Sequence, residues 1–530
     1  MRNMKKFLVS ALSLCVLFLG MNAQNKSPEN WFNLDKNADN IRGISTEKVY
    51  AEILKNRKSS PVVVAVLDSG VDIYHEDLKD NIWVNEDEIA GNGMDDDKNG
   101  YIDDVNGWSF LGNAKGENVS QDNLELARLY KTYAAKFGTK VATEVPKEEQ
   151  KEFGKWQIVK ADFETQRKEY QDNYDGFLGF SERFLAAKKA VESFLGKENP
   201  SAEEVKAITT DDKELAGIVT FYYNSLMRGL STDYITEVIN YYGGYIKYKL
   251  NPDLNSRAIV GDNYDNVNER IYGNSDVKGP DADHGTHVAG IIAATRTNNL
   301  GMKGIADNVK IMSVRVVPDG DERDKDVANA IYYAVDNGAR IINMSFGKDY
   351  SANPEIVAKA FAYASKKGVL LVHAAGNDAK NVDVTDNFPT RSYEGFKEFS
   401  TWIEVGASDY GTNSSFVGNF SNYGKKMVDL FAPGVQIYST TPENNYERFD
   451  GTSMASPVVA GAAALVLSYY PQLTAVQVRS ILLKSVESYK KELVNKPGSK
   501  DELVKFAQLC KTGGIVNVYN AILLADKMAK

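Results

Sequence analysis

Three residues of this chain sit in settings that suit nucleophilic chemistry, and they lie far apart. Asp68 falls in Val62-Val63-Val64-Ala65-Val66-Leu67-Asp68-Ser69-Gly70, and His284 opens His284-Gly285-Thr286-His287-Val288-Ala289-Gly290. Ser453 lies in Gly451-Thr452-Ser453-Met454-Ala455-Ser456-Pro457. A serine hydroxyl is a weak nucleophile at neutral pH and needs a base within hydrogen-bond reach. Imidazole titrates nearest neutrality, so His284 is the candidate base. A carboxylate must hold the imidazole tautomer and stabilise the imidazolium, and Asp68 is the candidate. Only a folded chain can assemble the three.

The elements that must position them are legible around each residue. Residues 62–67 form an unbroken, mostly β-branched apolar run, which suits a strand buried on both faces of a parallel sheet. Asp68 then stands at its carboxyl end, where open α/β sheets place their sites. Val288, Ile291 and Ile292 recur at helical spacing after His284, as do Val458, Ala462 and Leu465 after Ser453. Pro457 is tolerated in a first turn. Ser453 is thus expected near a helix N-terminus, where developing negative charge is favoured. Apolar runs near Val309–Val317, Arg340–Met344, Val369–Ala374, Thr401–Ala407 and Met427–Ala432 supply further strands. Helices bracketed by Asn353-Pro354 and Gly368, and by Val327 and Gly338, alternate with them. This alternation predicts an α/β fold with a mostly parallel sheet and helices on both faces.

The order Asp, His, Ser separates this chain from unrelated folds that carry the same three residue types. On these three segments it resembles the subtilisin-like serine proteases, the subtilase family. The resemblance implies a subtilisin-like three-layer fold and an Asp68-His284-Ser453 triad. Ala374-Ala375-Gly376-Asn377 follows the run Val369–Val372, and by resemblance Asn377 donates to the oxyanion. Loss of such a donor costs on the order of 10² to 10³ in rate. Asn343-Met344-Ser345-Phe346-Gly347 resembles the family's substrate-binding edge, which implicates Ser345, Phe346 and Gly347. Val314–Gly320 resembles the opposing edge, with Val316 and Gly320. A peptide held extended between two such edges gains main-chain hydrogen bonds whatever its sequence. Asp386-Asn387-Phe388-Pro389 matches the floor of the main specificity pocket, and a polar Asn387 there favours small, polar or basic side chains. The expected activity is that of an endopeptidase acting through an acyl-enzyme on an extended polypeptide. The rival readings are a processing protease of narrow specificity and a catalytically silent binding module.

A net charge of -10 over 530 residues disfavours nucleic acid as a partner, and 43% hydrophobic residues are ample for a large core. Arg2, Lys5 and Lys6 precede the apolar stretch Phe7–Leu19, with small and polar residues to Ala23. This pattern reads as a secretory signal peptide over 1–23, giving an exported protein, extracellular or periplasmic, with no stable membrane insertion after cleavage. Of the two cysteines, Cys15 lies inside that signal and Cys510 is expected to be a buried small hydrophobe, so no internal disulfide framework is expected.

The expected layout is an arm or short propeptide over 24–60, catalytic segments over 61–110 and 276–530, and a helical insertion over 111–275. Trp31-Phe32-Asn33-Leu34-Asp35 marks the arm. Within the insertion, Leu126, Leu129, Tyr130, Tyr133, Ala134 and Phe137 form one helical stripe. Phe184, Val191, Phe194 and Leu195 form a second stripe, ended by Gly196, and Ile235, Val238, Ile239 and Tyr242 a third. The segment from Asp95 to Asp104 has oxygen ligands at alternate positions and Gly100 for a sharp turn, the spacing of the first half of a calcium loop. Asp95, Asp97, Asn99 and Asp103 would give side chains and Tyr101 a carbonyl to a structural Ca2+. The closing glutamate is absent, since Asn106 stands there. By family register, Asp77 matches a second calcium ligand. The triad chemistry itself needs no metal.

Overall fold

The computed structural model describes residues 26–411 and 413–529. The signal-like segment, with Arg2, Lys5, Lys6 and Cys15, lies outside the described residues. Contact density divides the chain into two units: Leu126–Leu254, and Ser27–Glu125 together with Asn255 onward. The helical unit is narrower than the expected 111–275, because residues 111–125 and 255–275 fold with the unit that carries Asp68, His284 and Ser453.

The larger unit is built on a nine-stranded sheet. Its main strands are β1 (Val62–Asp68), β2 (Gly107–Ser109), β3 (Val309–Arg315), β4 (Ile341–Met344), β5 (Leu370–Ala374), β6 (Trp402–Ser408) and β7 (Leu430–Pro433). Across the sheet the order is Glu487–Ser488, Gly514–Ile515, β7, β6, β5, β4, β1, β3, β2. Every neighbouring pair from Gly514–Ile515 to β2 is parallel, and only the terminal Glu487–Ser488 pairing is antiparallel. Parallel strands need crossovers: the helices 283–293, 324–336, 354–366 and 452–469 supply several of them, while β5 to β6 and β6 to β7 are joined by segments without a helix.

The period-2 rule of a strand explains the two cores. Val64 and Val66 of β1 point into one apolar layer with Ile291, Val458 and Leu465. Ala65 and Leu67 point into the other, with Met312, Ile331, Phe361 and Trp402. The helix Thr452–Tyr469 is apolar enough to suit a membrane span, but it is buried as the central helix of the first layer. Trp31 and Phe32 are fully buried in that same layer, so the N-terminal arm is part of the core. Cys510 is buried, and burial pushes its thiol up to about 11, as suits an inert small hydrophobe.

The smaller unit is helical. Its helices span Glu125–Phe137, Gln150–Leu195, Ala202–Lys206, Lys213–Leu226 and Thr232–Gly244. The 46-residue helix Gln150–Leu195 is far longer than the stripe at Phe184–Leu195 suggested, and it ends at Gly196, whose φ of 62° is the left-handed cap glycine permits. Phe184 and Val191 pack with Val219, Tyr222 and Ile235, but Phe194 is exposed.

Candidate active site

β1 delivers Asp68 at its carboxyl end, fully buried. His284 stands in the first turn of the helix Asp283–Ala293. That helix can come close because Gly285 leaves room: a Cβ there would meet the Gly70 carbonyl oxygen at 2.1 Å. His284 Nδ1 lies 2.7 Å from Asp68 Oδ1, which also accepts from the Ser69 N–H at 2.8 Å. The carboxylate therefore fixes the ring and leaves Nε2 as the proton acceptor. Burial disfavours the imidazolium, but the Asp68 charge and hydrogen bond outweigh it, so the His284 pKa lies above its ordinary value.

Ser453 stands in the first turn of Thr452–Tyr469, a helix that packs on the His284 helix. Its hydroxyl donates to the Ser345 carbonyl at 3.1 Å, and no hydrogen bond joins it to His284 among the described residues. Rotation about one side-chain bond redirects it, and such bonds commonly tighten only when substrate binds. Asn377 follows β5. Its Oδ1 accepts from both the N–H and the hydroxyl of Thr452, each at 2.9 Å, which turns Nδ2 outward. A Cβ built on Gly451 would sit 3.4 Å from Ser453 N and 3.6 Å from Asn377 Nδ2. Two N–H donors thus face one small space beside the serine, at a helix N-terminus.

The substrate-edge residues divide. Ser345 is locked under the serine: its hydroxyl donates to the Ser453 carbonyl at 2.8 Å and shares a hydrogen bond with Ser456. Gly347 is exposed, and Asn387 stands beside it, with Oδ1 3.3 Å from the Gly347 Cβ position and Nδ2 donating to the Ala375 carbonyl. The Phe346 carbonyl contacts His373 Nε2 at 2.8 Å, and His373 Nδ1 contacts Glu404 at 2.9 Å. His373 and Glu404 therefore position this edge from beneath. The apolar run around His373 disguised this role, and an imidazole inside a strand run was the available signal. Val316 and Gly320 do not form an open opposing edge. Val316 is fully buried with its N–H on the Asp68 carbonyl, and Gly320 lies under the main chain of Asp122.

The acidic loop is rearranged relative to expectation. Single oxygens of Asp95, Asp97 and Glu88 lie within 4.8 Å of one another. Glu88 Oε1 accepts from the N–H groups of Asp96 and Asp97, while Oε2 is buried with no hydrogen-bond partner. A buried carboxylate oxygen without a donor fits a hard cation. Asp103 points elsewhere and accepts from the N–H groups of Asn92 and Gly93. Asn99 donates to Asp97 and Asp104, and the Tyr101 ring packs against Trp108 and Tyr333. Glu88 escaped sequence reasoning because it precedes the alternating motif. Asp77 meets the loop that follows the His284 helix: it accepts from Asn298 at 2.7 Å, from the Thr295 N–H at 3.0 Å and from the Tyr446 hydroxyl at 3.3 Å. His287 is structural, with Nε2 near the Ile437 and Glu447 carbonyls and its ring stacked on Phe449. His75 packs edge-on to Tyr446.

Parallel sheet, buried aspartate at a strand end and histidine and serine at two helix starts define a site of the serine-protease type, carried in the chain order Asp, His, Ser. The family model described as the subtilase family matches residues 59–503, and the chain belongs to that family. It is 42% identical over 218 residues to a thermophilic serine proteinase of Bacillus sp. (strain AK1), covering 41% of this chain and 49% of that one. It is 39% identical to subtilisin DY of Bacillus licheniformis, covering 40% of this chain and 75% of that one. It is 38% identical to thermitase of Thermoactinomyces vulgaris, covering 41% of this chain and 70% of that one. The match thus spans about half the length of the first of these relatives.

Proposed function

We propose that this protein is an exported serine endopeptidase that cleaves polypeptides bound in extended form. The observation that carries the reading is the 2.7 Å contact of His284 with buried Asp68, on a helix packed against the one whose first turn holds Ser453. Ser453 Oγ attacks the scissile carbonyl carbon while His284 Nε2 takes its proton. Asp68 stabilises the imidazolium. The carbonyl oxygen becomes an oxyanion held by Asn377 Nδ2 and the Ser453 N–H. Collapse breaks the C–N bond, the proton passes to the leaving amine, and an acyl-Ser453 ester remains. Water then repeats the sequence and releases the acid.

Export rests on the signal-like segment 1–23, and the catalytic body comprises residues 27–125 and 255–529. Glu88, Asp95 and Asp97 would hold a structural Ca2+, which adds rigidity to the loop and takes no part in the chemistry. Asn387 beside Gly347 supports a polar pocket floor.

The direct test is labelling with a serine-directed fluorophosphonate. The wild-type protein becomes labelled and cleaves unfolded protein; Ser453→Ala does neither, losing on the order of 10⁶ in kcat. Equal absence of labelling in both proteins would favour the binding-module reading.

A further inference from the structure

His373 and Glu404 are buried titratable groups that the peptide-cleaving steps above do not use. Strand register brings them together: β5 lays His373 beside Glu404 of β6 and beside Met344 of β4. Leu371, two residues before His373, packs in the apolar layer with Trp402 and Phe361, so His373 points into that layer as well. Its side chain is fully buried, and its ring centre lies 5.2 Å from that of Trp402. A polar pair in an apolar layer is costly unless every donor meets an acceptor.

The number of protons decides whether this pair is matched. The Phe346 carbonyl, 2.8 Å from Nε2, only accepts, so Nε2 carries a proton. Nδ1 lies 2.9 Å from Glu404 Oε1, while Glu404 Oε2 accepts the Trp402 indole N–H at 2.7 Å. With one proton on the pair, the bare Nδ1 lone pair would face a bare carboxylate oxygen. Two protons remove that clash: an imidazolium stands beside a carboxylate, or a neutral ring accepts from a carboxylic acid. Next to the pair, Asp429 accepts the Glu404 N–H at 3.0 Å and is itself held by Arg391 and Arg479 at 2.7 and 3.0 Å.

The carbonyl held by His373 is one residue from the support of the nucleophile. The Ser345 carbonyl accepts the Ser453 hydroxyl at 3.1 Å, and the Ser345 hydroxyl donates to the Ser453 carbonyl at 2.8 Å. On the other side, Lys348 exchanges N–H···O=C bonds with Phe388 at 2.8 and 2.9 Å. Its ammonium pairs with Asp324 at 2.8 Å and Glu125 at 3.0 Å. The segment 345–348 is thus pinned at both ends, and His373 pins its middle.

We propose that His373 and Glu404 form a two-proton pair that positions Ser453 through Phe346 and Ser345. Both are positioning residues, acting through the chain rather than on the substrate. This role rests on the peptidase reading above.

The test uses full-length protein and a Glu404→Gln variant, which supplies the same bonds without a charge. Its amide oxygen accepts from Trp402 and its amide N–H donates to Nδ1, leaving the Nε2 proton for Phe346. Its kcat stays within about threefold of wild type. Glu404→Leu is equally uncharged but has no donor; it loses roughly 10²-fold in kcat with KM within about threefold, as a displacement of about 1 Å near the reacting atoms costs. A Gln variant as slow as the Leu variant, or a folded Leu variant as fast as wild type, overturns the proposal. The second readout needs no activity. In protein labelled with 15N-histidine, the ring signal displaced in Glu404→Gln reports a protonated Nε2 at neutral pH; a bare Nε2 overturns the proposal whatever the kinetics. A wild-type protein that cleaves no peptide removes the peptidase reading and the positioning role with it, while a protonated Nε2 still upholds the pair. Where Glu404→Leu does not melt cooperatively, Glu404→Gln and the ring signal decide.

Discussion

At the scale of single residues, His284 is poised by two opposed effects. Burial works against its charged form and Asp68 works for it, and Asp68 wins. The base must be neutral to accept a proton, so kcat/KM should rise with pH through a midpoint above the ordinary histidine value of about 6.5. Asp68→Asn removes the favourable charge, so that midpoint moves to lower pH and kcat falls on the order of 10⁴. A pH–rate profile of both proteins checks this, and an unshifted midpoint would separate Asp68 from the titration. The sign for stability is opposite. A raised folded-state pKa stabilises the fold at pH below about 6.5, and that contribution disappears as pH rises through the folded value. Asn377 acts only after charge develops. Asn377→Ala should lower kcat on the order of 10² to 10³, about 2.7–4 kcal/mol, with KM little changed, as steady-state kinetics would report.

At the scale of elements, the acidic loop connects β1 to β2, and its fold depends on Glu88 as much as on the Asp-rich motif. Glu88 donates nothing and accepts two loop N–H groups through one oxygen, leaving the other buried and bare. Three carboxylates drawn together repel each other unless a cation joins them. Thermal melting should therefore show a calcium-dependent rise in Tm that chelator reverses. Glu88→Gln should abolish most of this rise while leaving the Tm without calcium similar or higher, since one of three like charges is gone. A Glu88→Gln protein that responds to calcium as the wild type does would place the cation elsewhere. The same element-level logic governs His287: burial disfavours its charged form and lowers its pKa to about 3, so it stabilises the fold above about pH 6.5 and loses that contribution as pH falls toward 3.

At the scale of the whole molecule, the N-terminal arm is packed into the core of the larger unit. Trp31 and Phe32 are fully buried beside Ile44 and Val49 in the layer that also packs the Ser453 helix. Truncating a buried aromatic leaves a cavity as well as losing burial. Trp31→Ala should cost about 3–5 kcal/mol, seen as a lower midpoint in urea unfolding with an unchanged slope. A loss below about 1 kcal/mol would show that the arm is dispensable, as a removable propeptide would be. The helical unit Leu126–Leu254 has its own apolar clusters around Phe184 and around Phe153 and Trp156, so it carries a separate core.

Much of this protein is written locally. A β-branched run ending in Asp68 marks a buried strand with a carboxylate at its end, and the apolar residues after His284 and Ser453 mark helices, although only the fold shows that both are buried on nearly every side. The family and the parallel sheet follow from such short-range patterns, because strand and helix periods are properties of a few consecutive residues. What the tertiary structure alone decided are contacts between distant segments. Glu88 joining Asp95 and Asp97, His373 and Glu404 beneath the Phe346 carbonyl, and Lys348 spanning to Glu125 and Asp324 leave no periodic trace. Each depends on where a long side chain ends once the backbone is placed. The covering of Gly320 by Asp122 is of the same kind, since two segments separated by the helical unit become neighbours only through the sheet that holds them both.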